Sequence, residues 1–138
     1  MAGLQLSIPG EPVGKARPRV TRQGITYTPQ KTVNYETLIK QHFAINYPQW
    51  IPQDSPVKID IISYHTIPQS KSKRIKTAME QGVIRPTKKP DADNILKIVS
   101  DSLNGLAYYD DKQIVKATLE KYYSKQPRLE LRLEFISN

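Results

Sequence analysis

The chain has 138 residues, 38% hydrophobic and 25% charged, a composition suited to one globular domain around a single core. It holds no cysteine and only two histidines, which excludes disulfides, thiolate catalysis and Cys-ligated zinc and argues against a multi-histidine metal site. A formal net charge of +8 favours a polyanionic partner over the plainer reading of a protein that is merely basic. No apolar run approaches the roughly 20 residues of a membrane span. The opening residues carry no basic stretch followed by an apolar one, so a cytoplasmic protein without a secretory leader or membrane partner is expected.

In chain order, Leu4, Leu6 and Ile8 alternate with Gln5 and Ser7, which predicts a strand ending at Pro9-Gly10. A basic loop over 11–23 carries Lys15, Arg17, Arg19 and Arg22, and a short strand is expected over 24–28. From Thr32 to about Ile45, Tyr35, Leu38, Ile39, His42/Phe43 and Ile45 follow helical spacing, and Tyr47-Pro48 stops that helix. Val57, Ile59 and Ile61 predict another strand. Residues 70–81 read as a short polar helix and 82–90 as a basic loop ending at Pro90. Asn94 to Leu103 is a helix with Ile95, Ile98, Val99 and Leu103 on one face, stopped by Asn104-Gly105. Val115, Ala117 and Leu119, then Leu129, Leu131, Leu133 and Phe135, alternate with polar residues. With a short linker near Ser124–Pro127 they read as a hairpin. The expected fold is α/β: a single domain over 1–138 with a mixed β-sheet, flanking helices and a C-terminal β-hairpin.

Charge is segregated along the chain. Residues 71–89 contain Lys71, Lys73, Arg74, Lys76, Arg85, Lys88 and Lys89, opposed only by Glu80. Residues 91–111 contain Asp91, Asp93, Asp101, Asp110 and Asp111, opposed only by Lys97. Short carboxylates suit a hard cation such as Mg²⁺, and Mn²⁺ is commonly accepted in its place. If Asp91 and Asp93 lie in an extended segment after Pro90, their side chains point the same way and converge on one ion. Lys97 follows Asp93 by one helical turn. A strand returning beside the helix brings Asp110 or Asp111 back to the pair. Two metal ions about 3.5–4 Å apart activate water and neutralise the leaving oxygen in phosphodiester hydrolysis. A lysine adds charge stabilisation, and basic surroundings draw the DNA backbone toward a site that would otherwise repel it.

Each of these residues also has a plainer role when read singly. Asp93 suits a helix N-cap, Asp91 a turn, and Asp110-Asp111 a polar turn before a strand. Lys97 suits a surface ion pair with Asp93 or Asp101, and Lys15, Arg17 and Arg19 a solvated loop. Tyr108 and Tyr109 read as packing residues and His65 as structural. A non-catalytic DNA binder is the competing class, but a pure binder gains nothing from acids concentrated beside its DNA face.

The stretch KPDADNILKIVSDSLNGLAYYDDKQIV resembles the core signature of RusA-type Holliday-junction resolvases. Asp91-Ala92-Asp93-Asn94-Ile95-Leu96-Lys97 stands for an Asp-x-Asp-Asn-Leu-x-Lys element, with isoleucine for leucine at Ile95. Asp110-Asp111-Lys112-Gln113-Ile114 stands for an Asp-Asp-x-Gln-Val element. PVGKARPRV and TYTP are similar to the family's opening, so the resemblance covers most of the chain, with 69–89 the least alignable part and a candidate mobile arm. The resemblance implies a small homodimeric α/β endonuclease, bacterial or phage-borne, that nicks four-way DNA junctions in pairs with Mg²⁺ during recombination and repair. Flaps or forks are the alternative substrates. By motif position Asp91, Asp93 and Asp111 would be the catalytic, metal-holding carboxylates and Lys97 the catalytic lysine, with Asp110's share open. Lys15, Arg17, Arg19, Lys73, Arg74, Lys76, Lys88 and Lys89 are the expected DNA contacts. A C₂ dimer would match the two symmetry-related strands of a junction. Its surface is left between the alternating apolar faces and the helix at 32–45.

Overall fold

The computed structural model describes residues 2–137. Its elements run β1 (Ala2–Pro9), β2 (Arg19–Val20), β3 (Thr26–Tyr27), α1 (Gln30–Asn46), β4 (Val57–Thr66), α2 (Lys73–Glu80), α3 (Ala92–Leu103), a 3-10 turn (Asp111–Gln113), β5 (Ile114–Ser124) and β6 (Arg128–Phe135). The expected mixed α/β architecture is present. A four-stranded sheet has the order β1-β6-β4-β5, and β2 and β3 form a separate two-stranded ribbon.

Apolar alternation places one sheet face against the helices. Leu6 pairs with Leu131, Leu131 with Ile61, and Ile61 with Leu119, so a row of four aliphatic residues crosses the sheet. Thr32, Tyr35, Ile39 and Phe43 of α1 and Ile95, Ile98, Val99 and Leu103 of α3 bury against this face at helical spacing. Ile45, expected on the buried stripe of α1, lies instead 76% exposed, because it falls off the Tyr35–Ile39–Phe43 line at the helix end. Phe43, Tyr47, Trp50 and Phe135 make a chain of ring contacts over one end of the core, the first stacked, the second edge-on and the third tilted.

The C-terminal hairpin is not formed. β5 and β6 exist, but β6 pairs antiparallel with both β1 and β4, while β5 pairs parallel with β4 on its far side. The short connection from Ser124 to Arg128 therefore passes the end of β4. Four residue steps reach about 14 Å, enough to cross two strand spacings of about 4.8 Å each. β6 is half-buried as its alternation indicates. β5 is instead an exposed edge strand, in which the expected inward residues Val115 and Ala117 lie exposed beside the register shift at Val57/Lys58. Alternation says nothing about which neighbour each strand takes.

The parallel β4–β5 pair requires a crossover, and that crossover contains α2 and α3. The chain leaves the C-terminal end of β4, returns along α3, and enters β5 at the end where β4 began. This geometry lays the acidic turn before β5 alongside the second half of α3.

Candidate active site

α3 begins two residues earlier than its apolar periodicity indicates. Asp91 is the N-cap, in extended conformation, and Asp93 already lies in the first helical turn. The expectation that Asp91 and Asp93 flank an extended step is therefore corrected, as is the expectation that Asp93 is the cap. Residues two apart at a helix start diverge instead of sharing a face. Asp91 makes no capping hydrogen bond with its side chain, so its carboxylate is not consumed by the helix.

Asp93, Lys97 and Asp101 follow one another at four-residue intervals along α3. Lys97 Nζ is 3.8 Å from Asp101 Oδ2, which settles the open choice of its ion-pair partner in favour of Asp101. Asp101 is also 3.4 Å from Lys15 Nζ, and Lys15 in turn lies 2.9 Å from Glu36 Oε2 on α1. Burial by itself would lower the Lys15 pKa. The hydrogen bond and charge of Glu36, followed by the charge of Asp101, outweigh it and raise the ammonium above its ordinary value.

The returning turn is clamped by one side chain. Gln113 Oε1 accepts from the backbone N–H groups of Tyr109 (2.9 Å) and Asp110 (3.0 Å). Gln113 Nε2 donates to the carbonyls of Gln53 (2.8 Å) and Ser55 (3.0 Å). Its amide thus uses both acceptor positions and both donors. The Gln113 backbone N–H in turn donates to the Asp110 carbonyl at 3.0 Å, closing the turn. Asp111 is thereby held next to Asp110, whose hydrogen bond and charge, together with the charge of Asp101, raise the Asp111 carboxyl above the usual range. Lys97 partly offsets this. Tyr108 beneath is fully buried and donates to Ser100 O on α3 at 2.7 Å, while Tyr109, expected to pack, is 60% exposed.

The carboxylates therefore fall into two groups. Asp101, Asp110 and Asp111 gather with Lys97 beside the second half of α3. Asp91 and Asp93 sit at its start, about 12–15 Å away from Asp101 along the axis at 1.5 Å per residue. Among the described residues no three Asp, Glu or His side chains are close enough to form a ready-made metal cage. The donor chemistry suits a hard divalent cation: every candidate ligand is a carboxylate, and the crowding that raises Asp111 is what a cation would relieve.

A basic groove leads to Asp91. It has a volume of about 640 Å³, and Lys15, Arg17, Arg19, Lys31, Lys89 and Asp91 line it. The remaining expected DNA contacts lie on the arm. Lys73, Arg74 and Lys76 are on α2 and Lys88 is in the loop that follows. This arm is fastened to the sheet: the Arg85 guanidinium lies 3.7 Å over the Tyr122 ring, and Lys121 Nζ donates to the carbonyls of Lys88 (2.6 Å) and Pro90 (3.0 Å). Lys121 thus holds the segment that delivers Asp91. His65 is 1% exposed and hydrogen-bonded to Ser63 through Nε2 at 2.7 Å.

Residues 9–134 match the family described as Endodeoxyribonuclease RusA. The chain belongs to the RusA endodeoxyribonuclease family. It is also 37% identical over 142 residues to YqaN of Bacillus subtilis (strain 168), itself described as uncharacterized, across 97% of both chains. The matched residues include the acidic cluster and its basic frame. Sequence reasoning leaves Asp101 ambiguous and passes over Glu36, Lys31 and Lys121. Asp101 is signalled by its spacing from Asp93 and Lys97. Nothing in the sequence marks the other three, whose partners are remote in the chain.

Proposed function

We propose that this protein is a Mg²⁺-dependent, structure-selective endonuclease that resolves four-way (Holliday) junctions by paired nicks, serving DNA recombination and repair in the cytoplasm of a bacterial or phage-infected cell. The observation that carries the reading is the RusA family match over 9–134, which spans the whole acidic segment and its basic frame. Asp91 and Asp93 from the start of α3, and Asp111 with Asp110 beside it from the acidic turn, are the carboxylates that would hold metal ions once these two groups are drawn together on the bound phosphate, and Mn²⁺ would substitute for Mg²⁺. When bound, the metal supplies an activated water and neutralises charge on the leaving oxygen. Lys97, one helical turn after Asp93 and paired with Asp101, would stabilise charge on the phosphate. The groove residues Arg17, Arg19 and Lys89, with the arm cations Lys73, Arg74, Lys76 and Lys88, attract the backbone. A homodimer would place two such sites on symmetry-related strands. No described helix is long and apolar enough to cross a membrane.

The test is cleavage of four-way, flap, fork and linear duplex DNA with Mg²⁺, with Mn²⁺ and with chelator. Paired nicks restricted to the four-way substrate, abolished by chelator, are expected. Preferential flap or fork cutting would move the enzyme to another branched substrate. Binding without cleavage of any substrate under either metal would overturn the nuclease reading.

A further inference from the structure

Lys15 and its neighbours Arg17 and Arg19 look equivalent in sequence, but the fold treats them differently. All three line the basic groove, but Arg17 and Arg19 form no ion pair among the described residues. The Lys15 side chain is only 20% exposed, and its ammonium lies between Glu36 Oε2 (2.9 Å) and Asp101 Oδ2 (3.4 Å). Its own backbone N–H donates to Asn94 O at 2.8 Å, in the first turn of α3. The loop approaches α3 this closely because residue 14 is glycine. A Cβ there would meet Pro90 Cβ at 2.8 Å and Asn94 Cβ at 3.0 Å.

We infer that Lys15 is a positioning residue of the active site and not a DNA-phosphate contact: with Glu36 it holds Asp101, and through Asp101 it holds the Asp93–Lys97–Asp101 stripe of α3 against the acidic turn. The inference rests on the nuclease reading above. One ammonium between two carboxylates leaves no surplus positive charge to offer a phosphate. Freeing it would leave the half-buried Glu36 without its cation and the half-buried Asp101 with Lys97 only. Asp101 also lies within electrostatic reach of Asp111. Without Lys15, the exposed and flexible Lys97 alone would counter the repulsion among Asp101, Asp110 and Asp111. Glu36 becomes part of the site's framework although it lies on a different helix.

The test uses the full chain and two readouts, the salt dependence of four-way-junction binding without divalent metal and the single-turnover cleavage rate with Mg²⁺ at saturating DNA. Lys15→Met should keep the wild-type salt slope and lower the rate by about 10²-fold, the scale of a 1 Å misplacement of reacting groups. Lys15→Arg, which keeps the cation, should recover most of that rate. Arg17→Ala, at a groove cation proposed to meet phosphate, should instead flatten the slope by about 0.9, the value for one neutralised phosphate. A Lys15→Met slope reduced by about 0.9 with the rate unchanged would overturn the inference. Should Lys15→Met fail to fold, Glu36→Gln decides: a slower rate with no shallower slope supports the assignment, and an unchanged rate refutes it. Absence of cleavage by the wild type would reject the nuclease reading alone. The pairing is then judged by a thermal-unfolding double-mutant cycle of Lys15→Met with Glu36→Gln, in which measurable coupling supports the Lys15 assignment and zero coupling defeats it.

Discussion

The acidic turn and α3 differ from the β2–β3 ribbon in one respect that matters for chemistry. Both carry charged side chains near the groove, but the first is built on a buried frame and the second is not. α3 inserts Ile95, Ile98, Val99 and Leu103 fully into the core, and Gln113 ties the turn to the segment before β4. β2 and β3 bury none of their residues, with Val20 and Tyr27 exposed and Ile25 exposed in the turn between them. Carboxylates that hold a metal must be placed to within a fraction of an ångström. Attraction of a phosphate backbone acts over a Debye length of about 8 Å and tolerates movement.

The comparison can be broken at its strongest point first. Asp111→Asn and Asp91→Asn should each reduce cleavage to background while junction binding persists, measured side by side on one substrate. Retained cleavage in both would mean that the framed carboxylates are not catalytic. Gln113→Ala should lower the rate by about 10²-fold, because it releases the turn that fixes Asp110 and Asp111. It should also destabilise the fold by about 1–3 kcal/mol through unpaired polar groups. Denaturant unfolding sharpens the contrast further. Ile98→Ala in the buried frame should cost about 2–5 kcal/mol, against less than about 0.5 kcal/mol for Val20→Ala on the ribbon. On the arm, Lys73, Arg74 and Lys76 changed together to alanine should flatten the salt slope of binding by up to about 0.9 for each phosphate no longer neutralised, with the rate at saturating DNA unchanged. A lowered rate at saturation would show that the arm positions DNA as well as attracting it.

The smallest expected effect concerns His65. Burial lowers its pKa below the ordinary 6.5, against the opposing pull of Glu11, whose Oε1 is 3.4 Å from Nδ1. The unfolded chain then binds a proton more readily than the folded one. The contribution of neutral His65 is intact above 6.5 and is lost as pH falls from there through the lowered folded-state value. Stability should decline over that window with a slope below the single-proton limit of about 1.4 kcal/mol per pH unit. His65→Gln should flatten the decline, and an unchanged pH profile would remove His65 as its source.

Helices and strand faces were readable wherever a single periodic signal covered the element. The stripe of α3 and the alternation of β1, β4 and β6 follow from where apolar side chains must go. The helix boundary was not readable, because Ala92 and Asp93 carry no apolar signal and only the observed backbone puts them in the first turn of α3. The pairing of β5 was not readable either. Its alternation fits a hairpin with β6 as well as it fits a parallel edge beside β4. In the site, Lys97 could be assigned two partners on its own helix, and the fold chose Asp101.

By itself the sequence determined that a compact acidic segment sits inside a basic α/β domain, and it determined the family that this segment belongs to. Those properties depend on residue identity and short spacing. The tertiary structure decided that the carboxylates form two groups, that Asp101 joins the second, and that of the groove cations Lys15, Arg17 and Arg19 it is Lys15 that pairs with Glu36 and Asp101. These choices depend on which remote surfaces meet once β4 and β5 pair across their helical crossover. Proximity between distant residues is set by packing and is not encoded in any local pattern.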